Sequence, residues 1–193
     1  MKQKRDYTAQ LHTLEGLAAS IIVVLGLVFV SQAVAVTSTS SSTSSEDIEA
    51  QYEQLAGDVL TQAKASGSLK RSILNWDEQQ RRWYGTNDRY YYQGQSPPGD
   101  FGRTLDRVVI GNDLTYNIEL TYKSGGSTLT VPFVDNGEPS TNSITRSEVV
   151  VLNENDRLGD GTLITNSVSY PMDNMDNEAM YNSVNVRLTV WRR

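Results

Sequence analysis

The side chains that most often act as nucleophiles and bases are scarce in this chain. It has no cysteine and a single histidine, His12. Disulfides and thiolate zinc sites are therefore excluded, and beyond the N-terminal segment so are histidine-based catalytic sets. Carboxylates remain, and an Asp/Glu pair can hydrolyse a glycoside. No pair stands out by its spacing, and no enzymatic activity is expected. Two oxygen-rich runs, Asn153 to Asp160 (NENDRLGD) and Asp173 to Glu178 (DNMDNE), carry the residue types that hold Ca2+. Neither has the D-x-[DN]-x-[DN]-G order of a calcium loop, so neither a metal nor a cofactor is expected.

Two other groups could do chemistry by contact. Tyr84, Tyr90, Tyr91 and Tyr92 precede a Pro97-Pro98-Gly99 turn. Tyrosines gathered on a loop give amphipathic area at low entropy cost, which suits contact with a glycan or protein; the alternative is that they lie over the sheet as a lid. The second group is one carboxylate, Glu15, set against the start of the stretch Gly16 to Val36, which has no charged residue. An ionisable group in that position calls for a partner, unless it sits at headgroup level where a helix N-terminus favours an anion.

Gly16–Val36 is the element that positions Glu15. A helix of this length spans roughly the 30 Å hydrocarbon core of a bilayer with every backbone group satisfied internally. Residues 1–15 then form a basic leader and boundary segment, and Met1–Arg5 (MKQKR) is expected to hold the N-terminus in the cytoplasm. Three fates are open for this segment: an uncleaved anchor, a signal peptide cut after Ala33-Val34-Ala35, or a leader cut near Ala9 or Gln10 with the helix retained. Residues 37–45, TSTSSSTSS, read as a flexible or O-glycosylated stalk. Residues 46–193 form the extracellular domain, of ordinary size for one core.

The net charge is −6, of which the first nine residues contribute +2, so residues 10–193 are acidic. That argues against nucleic acid or an anionic membrane surface as a partner of the domain. Within the domain, Ile48, Tyr52, Leu55 and Val59 recur at helical spacing, predicting a helix over 46–65 that stops at Gly67. Leu69, Ile73, Trp76, Gln80 and Trp83 predict a second helix up to Gly85, with the tryptophans as core. Asp100 is expected to cap a short helix carrying Phe101, Leu105 and Val108.

From Thr115 the period becomes 2. Tyr116 to Tyr122 and Leu129 to Phe133 flank a Ser124-Gly125-Gly126-Ser127 hairpin, and Pro132 marks an edge. Ile144–Leu152, Thr162–Tyr170 and Val184–Val190 complete an antiparallel sheet of about five strands. The class is α+β: a single N-terminal transmembrane helix, then two or three helices and the sheet.

The run AQLHTLEGLAASIIVVLGLVFVSQ resembles the N-terminus of archaeal type IV pilin-like proteins. HTLE, the apolar helix and the Ser/Thr tract are together similar to a haloarchaeal group of unknown function linked with pilus assembly genes, as are PPGDFGRTLD, TYNIELTY and NSVNVRLTVWRR. That resemblance implies a prepilin peptidase acting near Ala9 and Gln10, export to the cell surface, and packing of the helix in the membrane or a filament. It also implies a role for Glu15, pairing with the N-terminal ammonium of a neighbouring helix. The expectation is a structural pilin-like protein, a minor pilin, in company with other pilins and the assembly machinery. The alternative is a monomeric, membrane-anchored module that binds glycan or protein through its tyrosine loop.

Overall fold

The computed structural model describes residues 19–24, 48–87, 90–175 and 179–192. The leader, Ala9, Gln10, Glu15 and the Ser/Thr tract lie outside them. Residues 19–24 are helical and exposed, and among the described residues no helix is long and apolar enough to cross a membrane.

The unit Glu49–Arg193 opens on a helix, α1, that runs from residue 48 to 65. Its buried stripe is Ala56, Val59, Leu60 and Ala63; of the residues expected to lead it, Tyr52 and Leu55 are half-covered and Ile48, at the first turn, is 43% exposed. Gly67, at φ 71, ends it and leads straight into α2, Ser68–Ile73. The left-handed backbone there is open to glycine without a Cβ penalty.

The predicted second helix is not formed beyond Ile73. Residues 74–85 instead make a hairpin of β1, Trp76–Asp77, and β2, Arg82–Trp83, with Trp76 opposite Trp83. The physical reason is local competition for the backbone. Asp77 Oδ1 accepts from the N–H groups of Gln79 and Gln80 at 3.0 and 2.9 Å, and Arg81 adopts φ 54. A short acidic side chain that bonds the backbone two and three residues on favours a turn over a helix. Residues seven apart lie on one helix face and can equally be cross-strand neighbours, so the tryptophan spacing supports both.

Strand β3, Tyr92–Gln93, precedes α3, Asp100–Val108. Gly99, not Asp100, holds the N-cap position; Asp100 lies in the first turn, where its carboxylate pairs with Arg103 and Arg71. The long strands follow: β4, Leu114–Ser124; β5, Ser127–Asp135; β6, Ile144–Asn153; and β7, Met180–Arg192. Gly125 and Gly126, at φ 59 and 75, make the β4–β5 turn, the geometry that matches strand twist.

The sheet has five strands in the order β3-β5-β4-β7-β6, antiparallel except for the β3–β5 pair. Its fifth member is β3 and not Thr162–Tyr170. That segment instead holds an isolated bridge at Leu163, a 3-10 turn at Ile164–Asn166 and a hydroxyl-rich bend. Pro132 lies on a strand whose outer side is paired only at Val134 and Asp135, in keeping with an edge. One sheet face, with Tyr116, Ile118, Leu120, Val184, Val186 and Leu188, packs with the helices in one core. The architecture is thus two layers, mixed α and β.

Candidate functional site: an aromatic groove

The hairpin carries its tryptophans into a chain of edge-to-face rings. Tyr92 meets Phe133 at 5.3 Å, Phe133 meets Trp83 at 5.3 Å, Trp83 meets Trp76 at 5.0 Å, and Trp76 meets Tyr170 at 5.9 Å. Each such pair contributes about 0.5–1.5 kcal/mol beyond burial. The polar handles are all used. Trp83 Nε1 donates to Ile73 O at 3.0 Å, Trp76 Nε1 to Ser169 Oγ at 3.0 Å, Tyr170 OH to Ile73 O at 3.2 Å and Tyr92 OH to Tyr84 O at 2.8 Å. These bonds fix the ring planes.

Glu78, at the hairpin tip, ties this array to the bend at 167–170. Its carboxylate accepts from the Ser167 hydroxyl, from Val168 N at 2.8 Å, and from Ser169 N and Oγ at 3.1 and 2.9 Å. Partial burial pushes its pKa up, but the hydrogen bonds from Ser167, Val168 and Ser169 outweigh that and hold it below the usual glutamate value.

On this frame lies a groove of about 370 Å³ lined by Trp76, Trp83, Tyr90, Tyr91, Tyr122 and Pro171, with Val131 and Pro132 completing it. That volume is at the low end for a small-ligand site. Tyr90 is an exposed wall of it, 56% accessible and at φ 63, a backbone conformation uncommon outside glycine and asparagine. Tyr122 stays protonated well into alkaline solution because burial, and then the Asp173 charge, raise its pKa. The lining offers ring faces and phenol groups, which suits stacking and hydrogen bonding and provides no base for proton transfer.

Of the four tyrosines expected to make contact, two line the groove. Tyr92 does not: it is 1% exposed, a strand residue within the core. Tyr84 also stands apart, its ring beside Gly159, where a Cβ would come within 2.9 Å. Trp76, Trp83 and Tyr122 are the additions. The tryptophans are core residues that also wall the groove, and Tyr122 carries the period-2 signal of an inward strand residue, which by itself says nothing of a groove.

A larger cleft of about 730 Å³ lies elsewhere, with Ser96, Asp106, Asp113, Tyr116, Asn136 and Arg192 among its lining. With the Asp106 carboxylate as acceptor, Ser96 Oγ donates to it and accepts a hydrogen bond from the Tyr116 hydroxyl across 2.6 Å. Burial holds Tyr116 protonated. In the acidic loop 153–160, Asp156 pairs with Lys70 at 2.6 Å and accepts from Asn153 N at 2.7 Å, while Asp160 accepts from Thr162 N at 2.8 Å. Residues 176–178 of the other acidic run lie outside the described residues. Among the described residues, no group of three or more His, Cys, Asp or Glu converges on a point.

The family model that matches spans residues 8–190 and is described as a family of unknown function, DUF7288. The chain belongs to that family. No curated protein and no solved structure matches it. The DUF7288 match takes in Glu15, the apolar stretch, the hairpin, the groove and nearly all of the sheet.

Proposed function

We propose that this DUF7288 protein is a pilin-like cell-surface protein, a minor pilin held by its N-terminal helix in the membrane or in a filament core. Its work is structural and not catalytic. One observation carries the reading. Ile21, Ile22, Val23 and Val24 are consecutive helical residues that point to all sides, and each is more than half exposed. A helix that is apolar all round belongs in an apolar environment, either lipid or the packed helices of neighbouring subunits. In this reading a prepilin peptidase cuts at Ala9 or Gln10, the domain faces outward, and Glu15 pairs with the ammonium of an adjacent helix.

N-terminal mass spectrometry of the protein from its native membrane tests the reading. A chain that starts at Gln10 or Leu11 is the expected result. A start at Met1 leaves a plain anchor, and a start at Val36 makes the protein secreted; either overturns pilin processing.

The groove favours a second reading, a membrane-anchored module that binds a glycan or protein segment through Tyr90 and Tyr91. Under it, Tyr90→Ala abolishes surface binding while the domain melts as before. Unchanged binding removes this reading.

A further inference from the structure

The two edges of the sheet are built differently. At the β5 edge Pro132 has no backbone N–H, and β3 covers the strand's end. At the other edge lies β6, whose residues ITRSEVVVLN include no proline, glycine or lysine. Its ladder to β7 is regular from Ile144 to Leu152. Among the described residues no strand pairs with its outer side. A long, regular edge presents backbone donors and acceptors that template another strand.

The charges on β6 select the strand that fits. Arg146 and Glu148 stand symmetrically about Ser147, and each is ion-paired to α1: Arg146 with Glu53, and Glu148 with Lys64 at 2.7 Å. We propose that β6 is a dimerisation edge, pairing antiparallel with β6 of a second copy of this chain about a two-fold axis through Ser147. Antiparallel edge pairing by a two-fold axis requires that axis to be perpendicular to the sheet. The helices of both copies then lie on one side, and opposed residues share a face.

In this register Arg146 faces Glu148 of the partner subunit, Thr145 faces Val149, and Ile144 faces Val150. Opposed side chains on one face have Cβ atoms about 4.5–5.5 Å apart. The charges therefore alternate in sign from Lys64 through Glu148 to the partner's Arg146 and the partner's Glu53, and symmetry repeats the set. The neighbouring registers that keep the faces matched centre on Arg146 or on Glu148. They oppose Arg to Arg or Glu to Glu, which is destabilising. The self-complementary charge pattern and the open edge thus favour a single pairing, independently of what the N-terminal helix does.

The chain has no cysteine, so one introduced thiol reports on one position. The full chain bearing Ser147→Cys, in detergent under mild oxidation, is expected to form a disulfide-linked dimer. Thr145→Cys, whose copies stand about 13 Å apart in this register, and Thr128→Cys on the β5 edge stay monomeric. Ser147→Cys remaining monomeric, or the other two dimerising as readily, overturns the proposal. By sedimentation equilibrium, Glu148→Arg weakens the dimer at least about tenfold, and adding Arg146→Glu, Glu53→Arg and Lys64→Glu, which inverts the whole alternating set, restores it. A wild-type chain that sediments only as monomer, or a fully inverted variant as weak as the single one, also sinks it.

Discussion

The strands β4 to β7 and the hairpin-and-bend region of residues 74–87, 90–93 and 153–172 belong to one core yet are held in place by different means. In the strands, alternate residues point inward and the backbone ladder does the rest: Ile118 pairs with Leu188, Leu120 with Val186, and Val150 with Val184. In the hairpin and bend, few backbone ladders exist, and single side-chain hydrogen bonds set the path. Ile73 O accepts from both Trp83 and Tyr170, Ser169 accepts from Trp76, and Glu78 gathers three consecutive residues. A ladder spreads its stabilisation over many equivalent bonds, whereas the second region concentrates it in a few groups whose loss leaves a buried partner unsatisfied.

The largest expected effect lies outside both regions, at another place where a single close contact sets the path of the chain. At Gly102 in α3 a Cβ would lie 1.7 Å from Pro97 O, a backbone atom. Gly102→Ala must displace either the helix or the PPG turn, and a loss of at least about 4 kcal/mol is expected in denaturant unfolding. A loss below about 1 kcal/mol, or the gain of up to about 1 kcal/mol that Gly→Ala gives at an unconstrained helix position, would show that the close approach is not built into the fold.

Glu78→Gln comes next, at about 1–3 kcal/mol, because a charged acceptor of several hydrogen bonds is replaced by a weaker one. Its sign with pH can be worked out. Glu78 has a lowered pKa in the folded state, so its contribution is present above the ordinary glutamate range and is lost as pH falls through the folded value. Melting from neutral to acid pH should therefore show a steeper loss in the wild type than in Glu78→Gln. Parallel curves would mean that the carboxylate is not what fastens the bend.

The smallest effect belongs to the regular side. Thr121 and Thr130 share a cross-strand hydroxyl contact at 2.9 Å on the exposed face, and Thr121→Ala is expected to cost about 0.2–1 kcal/mol. A larger cost than that of Glu78→Gln would reverse the comparison.

The same contrast decides what can be read from the residues. The strands β4 to β7, the Gly125-Gly126 turn, the helix α1 and its stop at Gly67 are all local signals, and the fold follows them, although Ile48, expected at the head of the α1 stripe, is exposed. Residues 74–85 carry a helical spacing that the local Asp77 turn and the cross-strand tryptophan pair override, and contacts with Ser167–Tyr170 far along the chain hold the hairpin that results. For the same reason Thr162–Tyr170 alternates like a strand yet forms a bend, its hydroxyls and N–H groups taken by Glu78. Of the groove, Tyr90 and Tyr91 were accessible from their loop position. Tyr92 was not separable from them, since its burial depends on a two-residue pairing with β5, and the walls supplied by Trp76, Trp83 and Tyr122 depend on long-range packing.

The edge-to-face contact of Trp76 and Trp83, 5.0 Å between ring centroids, has a consequence for observation. Indoles this close couple their excited states, so the pair should give a circular dichroism couplet that neither ring produces alone. Only one further tryptophan is present, Trp191, at 5% exposure, and it has no such neighbour among the ring contacts of the described residues. The molecule thus carries a built-in optical reporter for one place, the hairpin beneath the groove. Loss of the couplet before the strand signal would mark the hairpin as the first part to open.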